Sequence, residues 1–124
     1  MKLKNQLFKI NDIMPTADGM VCCVRLLSDS IIYKAHFPGE PVTPGVCIMQ
    51  MAKELIEARM EREYEITDIK NVKFLYILSP IESPEVTFTF SKMVVDETTV
   101  TAKVDVNNDS HLFSSISFTC KAKC

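Results

Sequence analysis

At 124 residues and 14.0 kDa, the chain has the length of one domain. Apolar residues make up 47% and charged residues 24%, which excludes an intrinsically disordered composition. With 14 basic and 16 acidic residues the formal net charge is −2, which argues against a nucleic-acid partner. No apolar run approaches the roughly 20 residues of a membrane helix.

The first residues, Met1 to Gln6, are basic but lead into no apolar stretch, so no secretory leader is predicted. Met20 to Leu27 and Ile31 to Ala35 read as strands joined by Ser28-Asp29-Ser30. A stiff loop follows, His36-Phe37-Pro38-Gly39-Glu40-Pro41-Val42-Thr43-Pro44-Gly45. It holds two of the three glycines and three of the six prolines. Thr43 suits an N-cap and Pro44 the first helical position. Val46 to about Glu63 is rich in good helix formers, so one long helix is predicted there. Its first turns are apolar nearly all round, from Val46 to Ala52, which predicts burial. Glu54, Glu57, Arg59, Glu61, Arg62 and Glu63 give it a wet side further on.

Beyond the helix, period-two alternation predicts half-buried strands. Their inward residues are Val72, Phe74, Tyr76 and Leu78; Val86, Phe88 and Phe90; Val100, Ala102, Val104 and Val106; and Ile116, Phe118 and Cys120. Turn residues separate them at Ser79-Pro80, Asp96-Glu97 and Asn107 to Ser110. One long helix with a large antiparallel meander is an α+β pattern, and pairing with a second copy would cover the sheet edges. The odd count of five cysteines, with Cys22 and Cys23 adjacent, lacks metal-ligand spacing. It predicts reduced thiols in a cytoplasmic protein. No nucleotide or metal motif occurs, so no cofactor is expected.

The loop–helix junction has its own chemistry. The N–H groups of Gly45 and Val46 lack partners inside the helix and sit at its positive end. A glycine lets a ligand approach the backbone closely. Such donors suit a carbonyl oxygen that gains negative charge, and His36 exchanges a proton near neutral pH. By themselves these residues also fit an ordinary helix start beside a structural histidine.

The segment His36-Phe37-Pro38-Gly39-x-Pro41-x-x-Pro44-Gly45-Val46 resembles the signature of the 3-hydroxyacyl-acyl-carrier-protein dehydratases of fatty-acid synthesis. Ile69-Lys70-Asn71-Val72-Lys73-Phe74-Leu75 through Pro80-Ile81-Glu82 is similar to that family's strand after the helix. Together the two matches cover about residues 30–90. The resemblance implies a single hotdog domain over residues 1–124, a long central helix wrapped by a curved antiparallel sheet. It implies His36 as catalytic base and Gly45, with Val46, binding the thioester carbonyl. Phe37 would cover the acyl tunnel, and Met49 and Met51 are tunnel candidates against an ordinary core role. It implies an acyl thioester on acyl carrier protein or coenzyme A as substrate, and a site shared by two chains of a homodimer or of a heterodimer with a related dehydratase.

The family's acidic position falls on Gln50, and residues 1–19 show no match to the family's N-terminal arm. Three readings follow from Gln50. The chain is a dehydratase with altered acid chemistry, in which His36 returns the proton or Glu54 reaches in. It is a half-site subunit whose partner brings the carboxylate. Or it binds or hydrolyses acyl thioesters. A plain interaction module on the same fold is a fourth. An acidic carrier would need a basic patch, for which Lys73, Lys92, Lys121, Lys123, Arg59 and Arg62 are the candidates. His111 is expected exposed at a strand start, without a role.

Overall fold

A computed structural model describes residues 2–35 and 39–124; His36, Phe37 and Pro38 lie outside the described residues. In chain order the elements are β1 (Phe8–Pro15), β2 (Met20–Leu26), α1 (Ile31–Ala35), α2 (Gly45–Met60), β3 (Tyr64–Phe74), β4 (Glu85–Val95), β5 (Thr99–Asn107) and β6 (Leu112–Ala122). The strands form one sheet in the order β1-β2-β4-β5-β6-β3. Every neighbouring pair is antiparallel, so β1 and β3 are the two edges.

Alternation explains why the central strands form. β5 buries Val100, Ala102, Val104 and Val106 and turns the residues between them outward. The register carries this across the sheet: Cys22 faces Phe88, which faces Val106, and Phe90 faces Val104, which faces Ile116. The apolar arc of α2 closes over this layer with Met51, Ala52, Leu55 and Ile56, all fully buried in the same core. Burying each large side chain of this kind is worth about 1.5–3 kcal/mol. The helix ends at Met60 because Glu61 adopts a left-handed backbone (φ 53°), and the Arg62 N–H turns back to the Glu57 carbonyl.

Three expectations about the elements are corrected. Ile31–Ala35 is a short helix, not a strand: Ser30 Oγ accepts the Ile32 N–H at 3.2 Å, and the Lys34 N–H bonds to the Ser30 carbonyl. The strand expected through Leu78 ends at Phe74. Of its four supposed inward residues, Phe74 and Tyr76 are exposed, because β3 is an edge with no strand on its outer side. Val46, expected buried, is 67% exposed, whereas Met51 is fully buried in the core. The N-terminal segment, where the sequence pattern predicts no element, contains β1, which pairs with β2 along its length around a bulge between Ile10 and Asp12.

Cys22, Cys47 and Cys120 are buried, Cys23 is half-buried, and Cys124 is exposed. Burial pushes the thiols of Cys22 and Cys120 up to about 12 and about 11. No helix among the described residues is long and apolar enough to cross a membrane.

Candidate active site

The site grows out of the start of α2. Pro44, not Thr43, is the N-cap residue. It has extended backbone (φ −61°, ψ 147°), and no side chain caps the helix there. Its carbonyl accepts the Cys47 N–H at 2.9 Å and the Ile48 N–H at 3.1 Å. The ladder therefore begins at Cys47 and leaves the N–H groups of Gly45 and Val46 outside it.

Thr43 has a different task. Its hydroxyl pairs with the Tyr33 hydroxyl at 2.8 Å inside the core, and its N–H donates to the Leu78 carbonyl at 2.9 Å. Tyr33 is 1% exposed, and burial, opposed by the Thr43 hydrogen bond, pushes its hydroxyl up to about 12. This pair ties α1 to the foot of α2 and closes the loop that carries His36 in sequence. Gly39 within that loop has φ 96°, a backbone that favours glycine.

The second wall is the stretch after β3. An open cleft of about 340 Å³ lies between residues 42–45, Ile48 and residues 74–78. The Phe74 ring stands directly over Gly45: a Cβ there would sit 2.6 Å from Phe74 Cζ. The cleft therefore has an apolar wall and a helix N-terminus at its floor. A neighbouring cleft of about 540 Å³ shares residues 75–77 as a common wall. His111 lies in it, exposed as expected, with its ring 4.2 Å from that of Tyr76.

The predicted residues are brought together only in part. Gly45 reaches the first cleft, whereas Gln50 is not among the residues that line it. Five residues along a helix separate the two by about 7.5 Å of rise. The Gln50 amide instead donates from Nε2 to Glu54 Oε2 at 2.8 Å. Glu54, expected on the wet side, is 2% exposed. It accepts the Leu3 N–H on Oε2 and the Lys4 N–H on Oε1, both at 2.7 Å. It is committed to the N-terminal segment and does not reach toward Gly45. Its one available signal in the sequence is spacing. Three residues after Met51, it falls beside the buried arc of α2.

The basic candidates are also separated. The register sets Lys121 against Thr99 and Glu65, and Arg62 bonds to the Glu97 carbonyl. Both therefore lie at the opposite end of the sheet from Phe74, which faces Ser114. Of the six, Lys73 alone adjoins the cleft, as the neighbour of Phe74. Tyr33 and Phe74 are the positioning and lining residues that the sequence did not reveal as such.

Comparison with known proteins now bears on this geometry. The family model for the ApeI-like dehydratases matches residues 12–121. The chain belongs to the ApeI-like dehydratase family. Among solved structures it is similar to a chain of the dehydratase heterocomplex ApeI:P from Xenorhabdus doucetiae, with 18% identity and a TM-score of 0.64. That match covers 91% of this chain and 96% of that one. It is also similar to a thioesterase from Staphylococcus aureus (16% identity, TM-score 0.63, 98% of each chain). A third is a hypothetical thioesterase from Streptococcus pneumoniae solved with coenzyme A (14% identity, TM-score 0.59, 94% of this chain and 85% of that one). Comparison with curated protein sequences gives no match. The fold is the hotdog fold, as the HFPG segment implied, and the family is a dehydratase family.

Proposed function

We propose that the chain, as one hotdog domain, acts on acyl thioesters and catalyses the reversible loss of water from a 3-hydroxyacyl thioester to give a 2-enoyl thioester. The observation that carries this reading is the unladdered N–H pair of Gly45 and Val46. Gly45 of this pair lines an apolar cleft, in a member of a dehydratase family. These donors would bind the thioester carbonyl and stabilise the negative charge it gains as the neighbouring carbon loses its proton. His36 would take that proton. The C–O bond at the next carbon breaks, and the leaving oxygen departs as water once it is protonated.

Gln50 cannot supply that proton as a carboxylic acid does. The proton on His36 is then the one available, returned to the leaving oxygen in the same site. Loss of a separate general acid typically slows such a step by about 10²–10⁴-fold. Phe37 would cover the acyl group, and the thioester would arrive on acyl carrier protein or coenzyme A. The reaction uses no further cofactor.

We infer a dimer as the working unit. Phe74, the last residue of the edge strand β3, and Leu75, Tyr76 and Ile77 just after it are all at least half exposed, and Val46 at the start of α2 is 67% exposed. In one chain Gln50 does not line the Gly45 cleft; in a dimer it would serve the partner's cleft. A heterodimer is the second reading. One structural neighbour is a dehydratase heterocomplex, and a partner bearing a carboxylate would complete one of the two sites.

The test is hydration of a 2-enoyl thioester by wild type and Gln50→Glu, with the oligomeric state measured by light scattering. A slow wild type accelerated by Gln50→Glu supports the first reading. A wild type that is inactive alone but active with a related acid-bearing chain supports the second. Absence of both activity and acyl-thioester binding refutes the proposal.

A further inference from the structure

β3 is the edge strand that ends at the Gly45 cleft, and no described strand pairs with its outer side. A free edge is a template for another strand, and its side-chain pattern decides which strand it accepts. The pairing with β6 shows which residues of β3 point inward. Tyr64, Ile66, Ile69, Val72 and Phe74 stand opposite Ala122, Cys120, Phe118, Ile116 and Ser114, all of them buried. Glu65, Asp68, Asn71 and Lys73 stand opposite Lys121, Thr119, Ser117 and Ser115 on the outward face. Two bulges, between Ile66 and Asp68 and between Ile69 and Asn71, set Thr67 and Lys70 outside the alternation.

The inward residues are therefore spaced by two, three, three and two positions. That series reads the same in both directions, with Ile69 at its centre. Turned end for end, the strand meets itself with every inward residue opposite an inward one. Ile69 meets Ile69, Ile66 meets Val72, and Tyr64 meets Phe74. The charges then fall into opposite pairs, Glu65 against Lys73 and Asp68 against Lys70. Every other antiparallel register leaves at least three of the five inward residues without an inward counterpart.

We propose that β3 is a self-recognition edge, which pairs antiparallel with β3 of a second copy of this chain in the register centred on Ile69. A two-fold relation makes every contact twice. Each Glu65, already opposite Lys121 in its own sheet, gains the partner's Lys73, and each Asp68 gains the partner's Lys70. Phe74, whose ring stands over Gly45, comes opposite the partner's Tyr64, so the second copy reaches the edge of the cleft. The inference names the partner in the dimer reading above and rests on it. A chain of different sequence would have to reproduce both the spacing and the charges.

Reversed charges test the register without an absolute affinity. Glu65→Lys makes both members of that pair positive in its own homodimer, and Lys73→Glu makes both negative. Combined in one dimer, the two variants restore opposite charges at both contacts. Full-length chains are co-expressed with tags of different mass, and native mass spectrometry counts the dimers. Two differently tagged wild-type chains should give about half mixed dimers, the random share for equivalent copies. Like charges should weaken each variant homodimer about tenfold, which raises the mixed share for the two variants to about nine-tenths.

A wild type that forms dimers while the variants stay at the random share overturns the inference. It leaves the dehydratase reading, which hydration measures, untouched. A wild type that stays monomeric also overturns the inference, because the edge then takes no second copy. Should either variant fail to fold, Asp68→Lys with Lys70→Glu repeats the test at the other pair. Preferred mixed dimers with no hydration by any chain uphold the pairing and overturn the dehydratase reading.

Discussion

Gly45→Ala tests the cleft floor with a single methyl group. The added Cβ would lie 2.6 Å from Cζ, 3.0 Å from Cε2 and 3.1 Å from Cε1 of Phe74. Comfortable carbon contacts need about 3.5–4.0 Å, so the ring must retreat by about 1 Å or swing away. It is able to do so, since Phe74 is 52% exposed and the clash is with the far end of a side chain. If the ring leaves entirely, about 100 Å² of buried apolar surface is lost, or about 2.5 kcal/mol at 25 cal/mol per Å². Alanine's better helix propensity returns up to about 1 kcal/mol. The expected net loss in urea unfolding is therefore about 1–2 kcal/mol, and the variant should fold. Activity should suffer more. The methyl and the displaced ring stand before the N–H, and loss of one such donor costs about 10²–10³ in kcat. A folded Gly45→Ala protein with the wild-type kcat/KM would refute the assignment of this N–H to the substrate carbonyl.

Other substitutions probe the scaffold. Gly19→Ala places a Cβ 2.0 Å from the Phe90 carbonyl oxygen, which is backbone and cannot swing aside. Unfolding should show a loss of about 3 kcal/mol, and unchanged stability would contradict the packing of the β1–β2 turn against β4. Thr43→Val leaves the buried Tyr33 hydroxyl without its partner and should cost about 1–3 kcal/mol. It should also lower kcat/KM, because the loop carrying His36 loses the tie between its two ends. Alkaline titration has a defined sign. Cys22, Cys120 and Tyr33 have folded values of about 12, about 11 and about 12, above ordinary values of 9.0 for the thiols and 10.0 for the phenol. The unfolded chain therefore releases these protons first. Stability is retained below about pH 9 and falls as pH rises toward 12. Denaturant midpoints that stay level across this range would contradict the burial of these groups. A thiol reagent at pH 8 should label Cys124 first.

The central strands were legible because one face of each is buried. Period two is then a direct imprint of packing, as in Val100, Ala102, Val104 and Val106. The start of α2 was legible from the Pro44-Gly45 pair, although the cap lies one residue later than Thr43. What was not legible depends on distant partners or on an absent one. The Thr43 hydroxyl pairs with Tyr33 rather than with its own helix. Glu54 is buried because Leu3 and Lys4 donate to it. β1 is broken by a bulge, so its alternation slips out of phase. The apolar row after Phe74 alternates like a strand but has no neighbour on its outer side. Ile31–Ala35 is a five-residue helix with a β-branched start, too short for periodicity to separate from a strand; its informative residue was Ser30, whose hydroxyl accepts a first-turn N–H.

The most direct measurement of the proposed chemistry is the loss of enoyl absorbance when a 2-enoyl thioester is incubated with wild type and with His36→Ala. Slow hydration by the wild type, abolished in a folded His36→Ala protein, is the predicted result. Equal rates in the two proteins, or none above buffer in the wild type together with no thioester binding, would contradict it.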